Sequence, residues 1–336
     1  MSQPPYLLYI AQATDPISAK TARGIAVWRP EWAVGQVRSP GSPIDLGVPD
    51  MGFADAVAAG ARTMVLGVAN AGGVMAPATV ADVIAAMEAG LDIASGLHER
   101  LSDQPEIAAR AAELGRTLWD VREPPKELKV GNGAPRAGKR LLTVGTDCSV
   151  GKMYTTLALE REMRGRGIAA DFRGTGQTGI LIAGSGMPVD AVVADFISGS
   201  VEQLSPARED GGWDVIEGQG SLFHPSYAGV SLGLLHGAQA DALVICHEAG
   251  RTIMRHMKTH AVPDLKTCLE RNLEAARLTN PDVIAVGIAL NTQGLDDAAA
   301  IAACKAAEDA LGLPCTDPLR HGVGRIVDRL GQCFEL

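Results

Sequence analysis

Arg140-Leu-Leu-Thr-Val-Gly145-Thr-Asp-Cys-Ser-Val-Gly151-Lys152-Met153-Tyr154 is the stretch on which the fold turns. Arg140–Val144 (RLLTV) reads as a strand and Tyr154–Arg164 (YTTLALEREMR) as a helix. Between them lies a turn bounded by two glycines and followed by a lysine. In that arrangement the glycines let backbone N–H groups turn inward, the helix N-terminus adds partial positive charge, and the lysine supplies a mobile cation. The candidate anion cradle is therefore Gly145, Thr146, Asp147, Cys148, Ser149, Val150, Gly151, Lys152 and Met153.

Two features depart from the usual phosphate loop. Five residues separate the glycines instead of the usual four, and Met153 stands where Ser or Thr ordinarily ligates Mg²⁺. A thioether is a poor ligand for a hard cation. Thr155 and Thr156 follow, but each further residue turns about 100° around the helix. The loop can hold phosphate, yet it is poorly equipped for Mg²⁺-dependent γ-phosphoryl transfer.

Outward from this loop the rhythm is short apolar runs alternating with amphipathic stretches, the pattern of parallel sheets with crossover helices. Later strands are expected near Ala169–Phe172, Val215–Ile216, Ala242–Cys246 and Val283–Leu290. Upstream, Leu7–Ile10 and Thr63–Val68 read as strands, and Phe53–Ala61 and Val80–Ala89 as helices. Arg122–Arg140 holds three Pro, three Gly and six basic residues without apolar periodicity, so it reads as an interdomain connection or a long surface loop. The expectation is an α/β protein of two domains, each with a mostly parallel sheet. An N-terminal Rossmann-like domain covers 1–125, a linker 126–139, and a C-terminal P-loop NTPase-like domain 140–336.

The 336 residues fit two domains at roughly 150 residues each. With 46% apolar and 21% charged residues the chain is of ordinary globular type. A net charge of −9 without a Lys/Arg cluster argues against nucleic acid and against anionic membrane surfaces. Six cysteines, at 148, 246, 268, 304, 315 and 333, form no CxxC pair, so neither a zinc knuckle nor a disulfide framework is spelled. Met1–Ala13 lacks the positive start and long apolar run of a signal peptide, and no apolar run is long enough to span a bilayer. A cytoplasmic homo-oligomer is expected.

Several residues outside the loop carry chemistry. Glu217 ends an apolar strand before Gly218, where a carboxylate can act as general base or hold Gly-loop N–H groups. His224 lies in the loop GSLFHPSY, and an imidazole titrates near neutrality. Either could take a proton from an amine, and both are catalytic candidates. Gln177 and Thr178, in Gly174-Thr-Gly-Gln-Thr-Gly179, can receive a carboxylate or carbonyl oxygen. Lys20 and Asn70 are further substrate candidates, with Gly72 and Gly73 lining by position, and Arg62, His98 and Arg122 are available cations. His236, His247, His256 and His260 read as ordinary histidines, and Cys148 as a small residue packed beneath the loop.

GTDCSVGK resembles the phosphate loop of dethiobiotin synthetase and its relatives, as do Asp214–Ser221 (DVIEGQGS) and Val286–Asn291 (VGIALN). A resemblance covering nearly the whole chain is carried by Lys20-Thr21-Ala22, Gly96-Leu97-His98, Gly145–Met153, Gly174–Ile180, Ala194-Asp-Phe196, Glu217–Ser221, His224-Pro225 and Leu235-His236-Gly237, in that order. On these the chain resembles the D-glutamate N-acetyltransferase family, formerly a bacterial family of unknown function. The resemblance implies transfer of acetyl from acetyl-CoA to the amine of D-glutamate, with the phosphate loop holding CoA phosphates and no metal. The alternatives left open are a Mg·ATP-dependent kinase or carboxylate-activating ligase of dethiobiotin synthetase type, and a non-enzymatic nucleotide-sensing module.

Overall fold

The structure is a computed structural model that describes residues 4–11, 13–15, 18–68 and 75–334. By packing, the chain divides into two compact units, Met1–Pro124 with Gly176–Ala191, and Pro125–Thr175 with Val192–Leu336.

The first unit is built on β1 (Tyr6–Tyr9), α1 (Lys20–Trp28), β2 (Ala33–Val37), α2 (Phe53–Ala58), β3 (Thr63–Leu66), α3 (Pro77–Ala89), β4 (Asp92–Ser95), α4 (Pro105–Leu114) and β5 (Leu118–Asp120). The strands pair in parallel in the order β2-β1-β3-β4-β5. Every side chain of β1 and β3 is buried, which is why both read as continuous apolar runs rather than alternating ones. Helices α3 and α4 each begin on a proline and stop at a glycine with φ of +113° and +64° (Gly90 and Gly115), a conformation without penalty only for glycine. Strands β2, β4 and β5 are short and carry Gly, Gln, Asp or Ser, so apolar periodicity passes over them. Gln36 in β2 is buried because its amide is satisfied: Nε2 donates to Asp45 Oδ1 and Val48 O, and Oε1 accepts from Leu46 N.

The second unit holds β6 (Lys139–Gly145), α5 (Lys152–Gly165), β7 (Ala170–Arg173), α7 (Ile197–Leu204), β8 (Trp213–Ile216), α8 (Ala228–Ala238), β9 (Ala242–Glu248), α9 (Leu265–Ala276), β10 (Ile284–Asn291), α10 (Asp297–Leu311), β11 (Cys315–Thr316) and α11 (Gly324–Cys333). Its sheet is parallel throughout, in the order β11-β10-β9-β6-β8-β7. All carboxyl ends therefore lie along one edge, and β6 sits between β8 and β9, so the loops after these three strands share one crevice.

Two segments differ from a contiguous two-domain split. Residues 176–191, which include the helix Gln177–Ala183 (α6 in chain order), pack with the first unit. The stretch 126–139, expected to link the domains, is fastened along the second unit. Glu202 accepts from Asn132 N and Gly133 N, and Arg136 Nη2 donates to Gly237 O. An added Cβ on Gly199 would lie 1.9 Å from Lys129 O, so glycine there is what lets the stretch lie against α7. No helix among the described residues is long and apolar enough to cross a membrane.

Candidate functional site

The glycine-bounded loop leaves β6 at Gly145 and enters α5 at Lys152. Its glycines have separate reasons. A Cβ on Gly145 would lie 2.8 Å from Cys246 O, so the loop base touches β9. Gly151 has φ +100°, and the loop also bends at Ser149 with φ +53°. The result is an anion nest. Thr146 N donates to Cys246 O and Cys148 N to Asp147 Oδ1 at 2.6 Å. The N–H groups of Ser149, Val150, Gly151, Lys152 and Met153 meet no acceptor among the described residues. Such a run of N–H groups at a helix N-terminus binds an anion. Lys152 is buried, with Nζ donating to Asp147 O at 2.8 Å. Burial pushes its ammonium below the ordinary lysine value, against the nearby Cys246, Cys148 and Asp147.

The hydroxyls beside Met153 turn into the helix. Thr155 Oγ1 donates to Gly151 O at 3.0 Å, and Thr156 Oγ1 to Lys152 O at 2.8 Å.

Asp147 anchors the loop from within. It is fully buried, yet its carboxylate is surrounded by donors: Cys148 N on Oδ1, and Arg251 Nη1 (2.9 Å) and Arg255 N (2.7 Å) on Oδ2. Arg251 also donates to Cys148 O at 2.7 Å and pairs with Glu248. Arg251 is the first cation beyond the carboxyl end of β9. That position is the signal by which the sequence could have found it. Thr146 Oγ1 meets His247 Nδ1 at 2.8 Å, also at the end of β9, and burial there, with Arg251, depresses the imidazole.

Glu217 follows β8 and is buried, with Oε2 accepting from Thr175 N at 2.9 Å. Thr175 Oγ1 in turn donates to Glu217 O at 2.7 Å. Gly218 next to it donates to Thr143 Oγ1 at 3.0 Å, and its Cα lies against both β6 and the Lys152 stem. The structure thus places Glu217, the phosphate loop and Lys152 at neighbouring strand ends of one sheet. Ser221 Oγ donates to Thr146 O at 3.1 Å and ties the loop after Glu217 to the phosphate loop.

His224 is completely buried and stacked on Tyr227. Both ring nitrogens are engaged. Nε2 faces the carbonyl of Arg255 at 3.0 Å, which can only accept, and Nδ1 faces Ser226 N–H at 3.2 Å, which can only donate. Those partners select the neutral Nε2–H tautomer. Ligand atoms of Asp147, Cys148 and His224 lie within 4.8 Å of one another. As a metal donor set the trio fits poorly, because Asp147 is already held by a guanidinium and two N–H groups and His224 uses both nitrogens. Burial pushes the Cys148 thiol up, while Lys152, Arg255 and Arg251 favour its ionised form.

Of the substrate candidates, Lys20, Gln177 and Thr178 belong to the first unit. Lys20 opens α1 and is exposed. Thr178 is buried, with its hydroxyl 3.0 Å from that of Thr21. Gln177 Oε1 accepts from Arg122 Nη1 at 3.2 Å, and Arg122 also pairs with Asp190 at 2.6 Å. Asn70, Gly72 and Gly73 lie outside the described residues.

Comparison with known proteins gives a consistent result. Residues 129–327 match the DUF1611 P-loop domain and residues 38–124 the DUF1611 N-terminal Rossmann-like domain, both described as domains of unknown function. A curated relative from Tritonibacter scottomollicae, 52% identical over 98% of this chain and 99% of its own, is named D-glutamate N-acetyltransferase. One from Pseudoalteromonas sp, 49% identical with the same coverage, carries the same name. The crystal structure of a DUF1611 family protein from Anabaena variabilis superposes with a TM-score of 0.84 at 32% identity, covering 98% of this chain and 99% of that one.

Proposed function

The chain belongs to the DUF1611 family, and from that premise we propose that it is an acyltransferase that moves acetyl from acetyl-CoA to the amino group of D-glutamate, its phosphate loop holding the CoA pyrophosphate. The observation that carries the cosubstrate reading is the loop itself. It offers a run of N–H donors and a buried lysine, with Met153 at the Mg²⁺-ligand position and both neighbouring hydroxyls turned into the helix backbone. That equipment suits binding a pyrophosphate whose bonds are not broken.

Of the two candidate bases we assign the proton to Glu217. His224 has its Nδ1 lone pair on the Ser226 N–H and its Nε2 proton on the Arg255 carbonyl, so its role is to hold the 251–255 segment against the loop. The Glu217 carboxylate takes a proton from the substrate ammonium. The freed amine attacks the thioester carbonyl carbon, the oxyanion that forms is held by N–H donors, and the C–S bond breaks. CoA leaves as thiolate and takes up the second proton that the acylated nitrogen sheds, while the proton on Glu217 passes to solvent, giving N-acetyl-D-glutamate and CoA. No step calls on a metal.

The test is thiol release from acetyl-CoA with D-glutamate, together with Glu217→Gln. The wild type should release one CoA per acetylated amine, and E217Q should lose roughly 10²–10⁴-fold in kcat with a modest change in KM. An E217Q variant with unimpaired kcat removes Glu217 as base. No release with any amino acid removes the acetyltransferase reading.

A further inference from the structure

Arg255 is a cation fixed at the phosphate loop that pairs with no carboxylate among the described residues. Its backbone is pinned from both sides, N–H on Asp147 Oδ2 at 2.7 Å and carbonyl under His224 Nε2 at 3.0 Å. Its half-buried side chain makes one hydrogen bond among the described residues, Nε to His256 Nε2 at 3.3 Å. Arg251, four residues earlier, is fully engaged by Asp147, the loop carbonyls and Glu248. In a chain of net charge −9, an arginine that is left unpaired beside an anion nest is available for a ligand. The charge reaches the loop: together with Lys152 and Arg251 it favours ionisation of the Cys148 thiol.

The loop N–H groups and Lys152 already meet the needs of one pyrophosphate. A second unneutralised cation beside them points to a second anionic group on the same ligand. Acetyl-CoA carries one, the 3′-phosphate on the ribose whose 5′-oxygen bears the pyrophosphate, and ATP has none there. We propose that Arg255 binds the ribose 3′-phosphate of CoA and so selects CoA over nucleotides and over CoA lacking that phosphate. The proposal rests on the acetyl-CoA reading above. A guanidinium presents paired donors to phosphate, which a lysine replaces only in part.

The test compares acetyl-CoA with acetyl-3′-dephospho-CoA as cosubstrates at saturating D-glutamate for the wild type, Arg255→Gln and Arg255→Lys, and measures the KM for D-glutamate of each protein. The wild type should prefer acetyl-CoA by roughly ten- to a hundredfold in kcat/KM, the worth of a charge-assisted hydrogen bond or two. In R255Q the preference should collapse toward unity, with the dephospho cosubstrate used as well as by the wild type, and R255K should keep part of it. Retained use of the dephospho cosubstrate also shows that the variant is folded. The proposal is overturned if R255Q lowers both cosubstrates equally, or if the preference survives while the KM for D-glutamate rises, which would place Arg255 on the amino acid. Use of neither thioester by the wild type would overturn the acetyl-CoA reading itself, before any variant is made.

Discussion

Lys152 is held in its site by a hydrogen bond to the Asp147 carbonyl, and its burial makes its charge easier to lose than that of a lysine in water. A bound pyrophosphate favours the charged form and raises its pKa. The protonated lysine is the one that binds, so affinity is full while Lys152 is charged in the free protein. It declines as pH rises through the depressed free value and on toward the higher value of the complex. CoA affinity should accordingly fall with rising pH at a lower pH than an ordinary lysine would dictate, and readings above pH 7 are clear of the second phosphate ionisation near pH 6. In Lys152→Gln the affinity should be weak and its alkaline decline gone. A decline unchanged in K152Q would assign the titration to another group. At this scale the sequence was informative where chemistry is spelled locally. The nine loop residues and Glu217 are legible from spacing. Thr175 and Ser221 are not, because each meets its partner, Glu217 for the one and the Thr146 carbonyl for the other, only through contacts between separate strand ends.

Between elements, a chain of hydroxyls runs under the phosphate loop. Gly218 N–H donates to Thr143 Oγ1 (3.0 Å), the two threonine hydroxyls of β6 and α5 meet at 2.9 Å, and Thr156 donates to Lys152 O (2.8 Å). An N–H at one end and a carbonyl at the other fix the direction of every bond, so the residue after Glu217 is tied to the first residue of α5. Thr143→Val keeps the shape but leaves the Gly218 N–H buried and unpaired. It should cost about 1–3 kcal/mol, read as a lowered melting temperature, with T143S close to wild type. Gly218→Ala is harsher, since its Cβ would sit 1.7 Å from the Thr143 carbonyl, which is backbone and cannot swing aside. Overpacking of that kind costs about 1–3 kcal/mol or more. G218A as stable as the wild type would mean that β8 is not packed on β6 as described. The central elements were legible for a physical reason: buried parallel strands such as β1 and β9 are built on unbroken apolar runs, Tyr6–Tyr9 and 242–246, and α5 follows directly from its glycine. The short edge strands β2, β5 and β11 owe their existence to pairing partners and leave no pattern of their own.

The whole molecule is two parallel-sheet units, and that architecture was readable from the alternation of runs and crossovers. The division of the chain between them was less so. Residues 176–191 follow a strand of the second unit, and their small, apolar helix carries no mark of the unit in which it packs. Thr178 and Ile182 meet α1 at Gly24, where a Cβ would find them at 3.0 and 3.2 Å. As a consequence, Gln177 and Thr178 are built into the first unit although two residues away Thr175 holds Glu217 in the second.

The central claim is that the phosphate loop serves a CoA thioester and not Mg·ATP. Isothermal titration of the protein with acetyl-CoA, and separately with ATP and Mg²⁺, tests it most directly. The account predicts saturable acetyl-CoA binding without added metal, weakened by Lys152→Gln, and negligible heat from Mg·ATP. Tight Mg·ATP binding with no acetyl-CoA signal would contradict it and return the loop to phosphoryl chemistry despite Met153.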